Sequence, residues 1–152
     1  MKKIVLYILL LGAALLLPVE GEDVGKLLPV EVVQLDKTGD TLVISTDADA
    51  KGTGTTMAAA VQNMHATADG IVFLDTADFL LVTDAAKQHA EDMEEYLKPS
   101  VRVCMQRSEV DLKEAAAYLR VHKPRKHLRD WETAVGAEYI DEEDGRMMLE
   151  EN

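Results

Sequence analysis

The first pattern along the chain is an unbroken apolar run, Ile4 to Val19, between Lys2 and Lys3 on one side and Glu20, Gly21, Glu22 and Asp23 on the other. Positive charge, then apolar residues, then polar residues is the order of an export signal. The run is shorter than the ~20 residues that span a bilayer comfortably as a helix. Pro18 would break a helix near its end. Two uses of residues 1–21 stay open. Val19 and Gly21 are small enough to sit at the −3 and −1 positions of a cleavage site after Gly21, which makes a signal peptide. An uncleaved leader would instead be a signal anchor, its two lysines on the cytoplasmic side. Either use places the rest of the chain outside the cytoplasm, anchored or secreted.

Residues 22–29 read as a linker and 30–152 as a single domain. Val30–Leu35 and Thr41–Thr46 are β-rich runs around the turn signal Asp36–Asp40, which predicts a hairpin. Thr46–Gly54 reads as a loop. Thr55 or Thr56 then caps a helix whose apolar stripe is Met57, Ala60, Val61, Met64 and Ala68, with Gly70 as its stop. Ile71–Leu74 and Phe79–Val82 are short strands joined by the tight connection Asp75–Asp78. Asp84 opens a helix to about Leu97, with Ala86, Ala90, Met93 and Leu97 on one face and four acidic residues on the other. Lys98 suits its negative end, and Pro99 stops it. Val101–Met105 is the next strand. Asp111 opens a helix through about Val121 that buries Ala115, Ala116 and Leu119. Arg146–Leu149 is a candidate for a last short strand. The predicted order is β-β-α-β-β-α-β-α, followed by a basic stretch and an acidic tail. That is an α/β fold, a mixed sheet with covering helices.

Charge narrows the partners. The chain has 28 acidic and 16 basic residues, a net charge of −12. Such a surface repels phosphate backbones, so nucleic acid is not an expected partner. It also resists adsorption to anionic lipid. Cys104 is the one cysteine and sits in a strand pattern, where it reads as a small buried hydrophobe. The four histidines show no zinc-ligand spacing. Asp141–Gly145 is rich in oxygen ligands but lacks the alternating spacing of a calcium loop, so it reads as a solvated acidic turn. No nucleophile motif and no dinucleotide glycine pattern is present, and no cofactor is expected.

Three groups of residues carry candidate chemistry. Lys123, Arg125, Lys126 and Arg129, followed by Trp131, form the one basic cluster. It either neutralises the acidic helix faces or contacts a partner or lipid headgroups. Gly52, Thr53, Gly54 and Thr55 precede a helix, where exposed amides can hold an anion. The Gly-Lys-Ser/Thr ending of a phosphate loop is missing there, and a loop with an N-cap is the other reading. Asp75 and Asp78 flank a turn, as paired acid–base carboxylates or as turn formers.

Element order adds a family resemblance. It is carried by Val30–Asp36, a turn, the strand Thr41–Thr46, a Gly-Thr-Gly loop and the helix start Thr56–Val61. Phe73–Thr83, an acidic helix and Val101–Cys104 follow. Over roughly Val30 to Leu119 this resembles the N-terminal domain of Ger(x)C-type spore-germination proteins. The resemblance implies an exported, membrane-attached, non-enzymatic subunit of a germinant receptor. The family's lipobox cysteine and larger C-terminal region have no counterpart in this sequence, so the leader itself would be the anchor.

The sequence therefore predicts a non-enzymatic extracytoplasmic module that binds a membrane or cell-envelope protein, with Lys123–Trp131 as the contact. The alternative is a secreted small-ligand binder or hydrolase. That reading needs Asp75, Asp78 and the Gly52–Gly54 loop to converge at one end of the sheet.

Overall fold

Val32–Thr38 (β2) and Thr41–Thr46 (β3) form the predicted hairpin, turning at Gly39, whose φ of 61° suits a residue without a Cβ. The computed structural model describes residues 26–151, so the expected leader and residues 22–25 of the expected linker lie outside them. The end of that linker is not loop. Leu27–Pro29 (β1) pairs in parallel with Ile71–Phe73 (β5) as a separate two-stranded ribbon.

Lys51–Gly54 (β4), Phe79–Thr83 (β6), Arg102–Gln106 (β7), Glu138–Glu143 (β8) and Arg146–Glu151 (β9) complete the main sheet. Its seven strands run in the order β4-β3-β2-β6-β7-β8-β9. The central four, β2, β6, β7 and β8, are parallel; the two edges are antiparallel hairpins. The mixed α/β sheet expected from the sequence is therefore present.

Met57–Thr67 (α1) and Leu112–Val121 (α2) cover opposite faces. Thr56 caps α1 by accepting from Ala59 N at 3.2 Å, and Asp111 caps α2 by accepting from Lys113 N and Glu114 N at 2.9 Å. Strand alternation divides the core cleanly. Val33, Leu35, Leu42, Ile44, Leu80, Val82, Val103 and Met105 meet α1 and the segment that follows β6. Val32, Phe79, Leu81, Cys104 and Ile140 meet Ala115, Ala116 and Leu119 of α2.

Three expectations need correction. Residues 84–97 are not an α-helix but two short 3₁₀ segments, Lys87–His89 and Glu91–Glu95. Ala86, Ala90, Met93 and Leu97 are buried as the periodicity requires. Amides there bond three residues back, as Ala90 N does to the Lys87 carbonyl, which Trp131 Nε1 shares at 3.3 Å, while Glu91, Asp92, Glu94 and Glu95 repel one another one turn apart. At the end Leu97 N does reach the Met93 carbonyl four residues back, at 2.9 Å. The Thr46–Gly54 loop is only half loop, because β4 occupies its second half. The acidic turn at Asp141–Gly145 is the end of a strand and a two-residue hairpin turn. Asp144 (φ 52°) and Gly145 (φ 71°) take the positive φ that such turns demand.

Candidate functional site

The sheet face beneath α2 changes character along its length. At the amino-terminal ends of the parallel strands it is apolar and covered. At their carboxyl ends the inward alternation places Asp36 on β2, Thr83 on β6 and Gln106 on β7 side by side. Thr83 and Gln106 are the last residues of their strands, and Asp36 lies near the end of β2. The helix stops short of them because it is pinned across the start of β2. Lys113 Nζ reaches Asp49 at 2.7 Å, and Arg120 grips both carboxylate oxygens of Glu31. Those ion pairs raise both basic pKa values, through the hydrogen bond first and the attraction of the carboxylate second.

The uncovered end is a polar cleft of about 560 Å³. Gln34, Asp36, Thr83 and Gln106 make its floor, and Ser45, Lys51, Asp84 and Arg107 are among its walls. The floor is ordered by its own hydrogen bonds. Thr83 Oγ1 donates to Asp36 Oδ1 at 2.6 Å, and Gln34 Nε2 donates to Gln106 Oε1 at 2.7 Å. Gln106 is only 6 % exposed, and its Nε2 donates to the carbonyl of Ser108 at 2.7 Å. The loop after β7 is held from outside as well, because Glu142 N donates to Ser108 Oγ at 2.9 Å. In an open α/β sheet the carboxyl ends of parallel strands are where ligands bind. Lys51 supplies positive charge there, and Asp36, Asp84 and Glu109 supply negative charge. The Arg107 guanidinium is turned away, to Glu150 at 3.4 Å and to the Tyr139 ring at 4.6 Å.

The residues singled out in the sequence lie elsewhere. Trp131 is 3 % exposed and belongs to the α1-side core, so it offers no contact surface. Lys126 Nζ donates to the carbonyls of Thr133 (2.5 Å) and Val135 (2.9 Å) and lies 5.2 Å from the centre of the Trp131 ring. Arg125 pairs with Glu138 and Glu151, and its amide donates to Glu138 Oε2 at 2.7 Å. Arg129 and Lys123 are exposed; Arg129 approaches Asp130 at 3.6 Å. Lys123 lines a second cavity, about 280 Å³, with Glu31, Asp78, Arg102 and Arg120 at the opposite ends of the strands.

Gly52 and Gly54 are strand residues packed under α1. A Cβ on Gly52 would fall 2.1 Å from the carbonyl oxygen of Ala60, and one on Gly54 would fall 2.5 Å from Ala60 N. The Thr53 amide is already committed to Asn63 Oδ1 at 2.9 Å, and Thr55 is exposed beside the N-cap. Helix–strand contact, not an anion cradle, accounts for the glycines. Asp78 sits at the start of β6, whereas Gly52 pairs with Ile44, which is level with Leu35 and Val82 at the end of that strand. Asp75 is exposed in a 3₁₀ turn. The structure therefore does not bring these carboxylates and glycines together.

Cys104 is wholly buried, and desolvation, with the nearby charge of Glu138 second, pushes its thiol well above the ordinary range. No group of three metal-ligating side chains occurs among the described residues. No described helix is long and apolar enough to cross a membrane. The chain matches no family model, no curated protein and no solved structure.

Proposed function

We propose that this chain is a non-enzymatic binding module, held outside the cytoplasm at the membrane by its N-terminal apolar run, and that the polar cleft is its recognition site. The observation that carries the reading is the row Asp36–Thr83–Gln106. Three adjacent parallel strands place polar side chains side by side toward their carboxyl ends on one face, and the helix that covers that face leaves them open. With both signs of charge on its walls, the cleft suits a small zwitterion. Its floor is hydrogen-bonded in advance, which lowers the ordering cost of binding. The test is calorimetric titration of the full chain with a panel of free amino acids and dipeptides. Saturable binding that Asp36→Asn weakens tenfold or more supports the reading. No binding across the panel, or binding untouched by the substitution, counts against it.

A second reading is docking on a membrane or cell-envelope protein, the partner class that the family resemblance implies. Lys123 favours it, being an exposed cation on the wall of the second cavity and paired with no carboxylate among the described residues. Gentle crosslinking in native membranes tests it. A reproducible crosslinked partner lost on Lys123→Glu with Arg129→Glu supports docking there; an unchanged partner places the contact elsewhere.

A further inference from the structure

The β1–β5 ribbon exposes grease. Its register sets Leu27 beside Ile71, Leu28 beside Val72 and Pro29 beside Phe73. Alternation then turns Leu28 and Val72 inward, where both join the core, and turns Leu27, Pro29, Ile71 and Phe73 outward. Leu27 and Ile71 are 38 % exposed and Phe73 is 44 % exposed. These are three of the five large exposed hydrophobics among the described residues, gathered on one small face. The ribbon is firmly held. Thr76 Oγ1 accepts from Val30 N at 2.9 Å and lies 2.8 Å from the carbonyl oxygen of Val30. At Gly70 the turn after α1 passes so close to the start of β1 that a Cβ would fall 2.3 Å from the Lys26 carbonyl.

We propose that the outward face of this ribbon, Leu27, Pro29, Ile71 and Phe73, seats on the lipid surface of the membrane that holds the N-terminal apolar run. The proposal rests on the membrane half of the function proposed above. Its first support is chain length. Only residues 20–26 separate the end of the apolar run from Leu27, and seven residues reach at most about 25 Å. A leader kept in the bilayer therefore keeps the ribbon within that distance of its surface. The second support is area. Four half-exposed side chains present on the order of 300 Å², well below the roughly 800 Å² per partner of a stable protein interface. A tethered lipid contact has no such threshold, because the leader already supplies the local concentration. The third is charge. The chain as a whole repels anionic headgroups, but the four outward positions carry no charge, so contact here is apolar.

The test reconstitutes the full chain in phosphatidylcholine vesicles whose acyl chains carry bromine. An environment-sensitive fluorophore is placed at Phe73→Cys, at Ile71→Cys as a second position, and at Glu143→Cys on the far hairpin as reference. Buried Cys104 takes no label. The proposal expects the chain to float with the vesicles. It also expects the labels at 73 and 71 to be blue-shifted and quenched at least twofold more than the label at 143. Flotation with equal quenching at all three sites overturns it while leaving the anchor intact. A blue shift without bromine quenching, accompanied by a doubled mass, overturns it in favour of a second copy on the ribbon. Failure to float overturns the anchor and the seating together.

Discussion

The Thr83 hydroxyl donates to the Asp36 carboxylate across 2.6 Å, joining two neighbouring parallel strands toward their carboxyl ends. A hydrogen bond to a charged acceptor contributes about 1.5–3 kcal/mol net. Thr83→Val should therefore lower stability in urea by about that much and weaken binding in the cleft. Thr83→Ser should restore most of both. Equal stability of the valine variant would show that water replaces the hydroxyl and that the floor is not ordered by this bond.

Gly52 is required by space. Gly52→Ala drives a methyl into the backbone of α1, which cannot yield as a flexible side chain can. The expected loss is about 2–3 kcal/mol, at the upper end for overpacking. Gly39→Ala meets nothing within 4 Å and is strained only by its φ of 61°, so it should cost about 1 kcal/mol. Urea melts of the two variants rank them, and a reversed order would contradict the packing account.

Trp131 is the chain's one tryptophan, so fluorescence reports on it alone. Burial predicts native emission to the blue of the denatured emission and poor quenching by acrylamide. Trp131→Ala should cost about 3–5 kcal/mol. It should also loosen the 3₁₀ segments that lean on the ring through the Lys87 carbonyl. Free access of acrylamide to the native ring would contradict the burial.

Much of the framework was legible in the residues, and the losses have physical causes. The α1 and α2 stripes, the β2–β3 hairpin and the three parallel core strands follow from periodicity that the tertiary fold reinforces. Residues 84–97 show where that stops, since their apolar spacing specifies which side chains are buried but not which carbonyl each amide finds. Contacts distant in sequence, such as that of Trp131 with the Lys87 carbonyl, are not visible in that spacing. The glycines of β4 and the cluster around Trp131 drew attention as chemistry because composition cannot distinguish close packing from a ligand site. The cleft left a fainter signal. The segments Val32–Asp36, Phe79–Thr83 and Val103–Gln106 each end in a polar residue, but only the parallel register reveals that these residues are neighbours.

Cys104 gives the chain an alkaline limb. Its folded thiol is raised by burial, so the stability it contributes is complete below the unfolded value of about 8.5 and is lost as pH rises toward the folded value. Above about pH 9 the unfolded thiol ionises while the folded one keeps its proton, which costs about 1.4 kcal/mol per pH unit. Cys104→Ala should be less stable at neutral pH but show a flatter decline from about pH 9 to 10.5. Parallel slopes in the two proteins would contradict this, as would prompt reaction of the native thiol with a disulfide reagent.

The measurement that bears most directly on the cleft is an amide-shift titration of the isotopically labelled chain with the tightest-binding amino acid or dipeptide of the panel. The account predicts saturable shifts confined to Gln34, Asp36, Ser45, Thr83, Gln106 and the loop that follows β7. Saturable shifts centred instead on Gly52–Thr55 or on Lys123–Arg129 would contradict it.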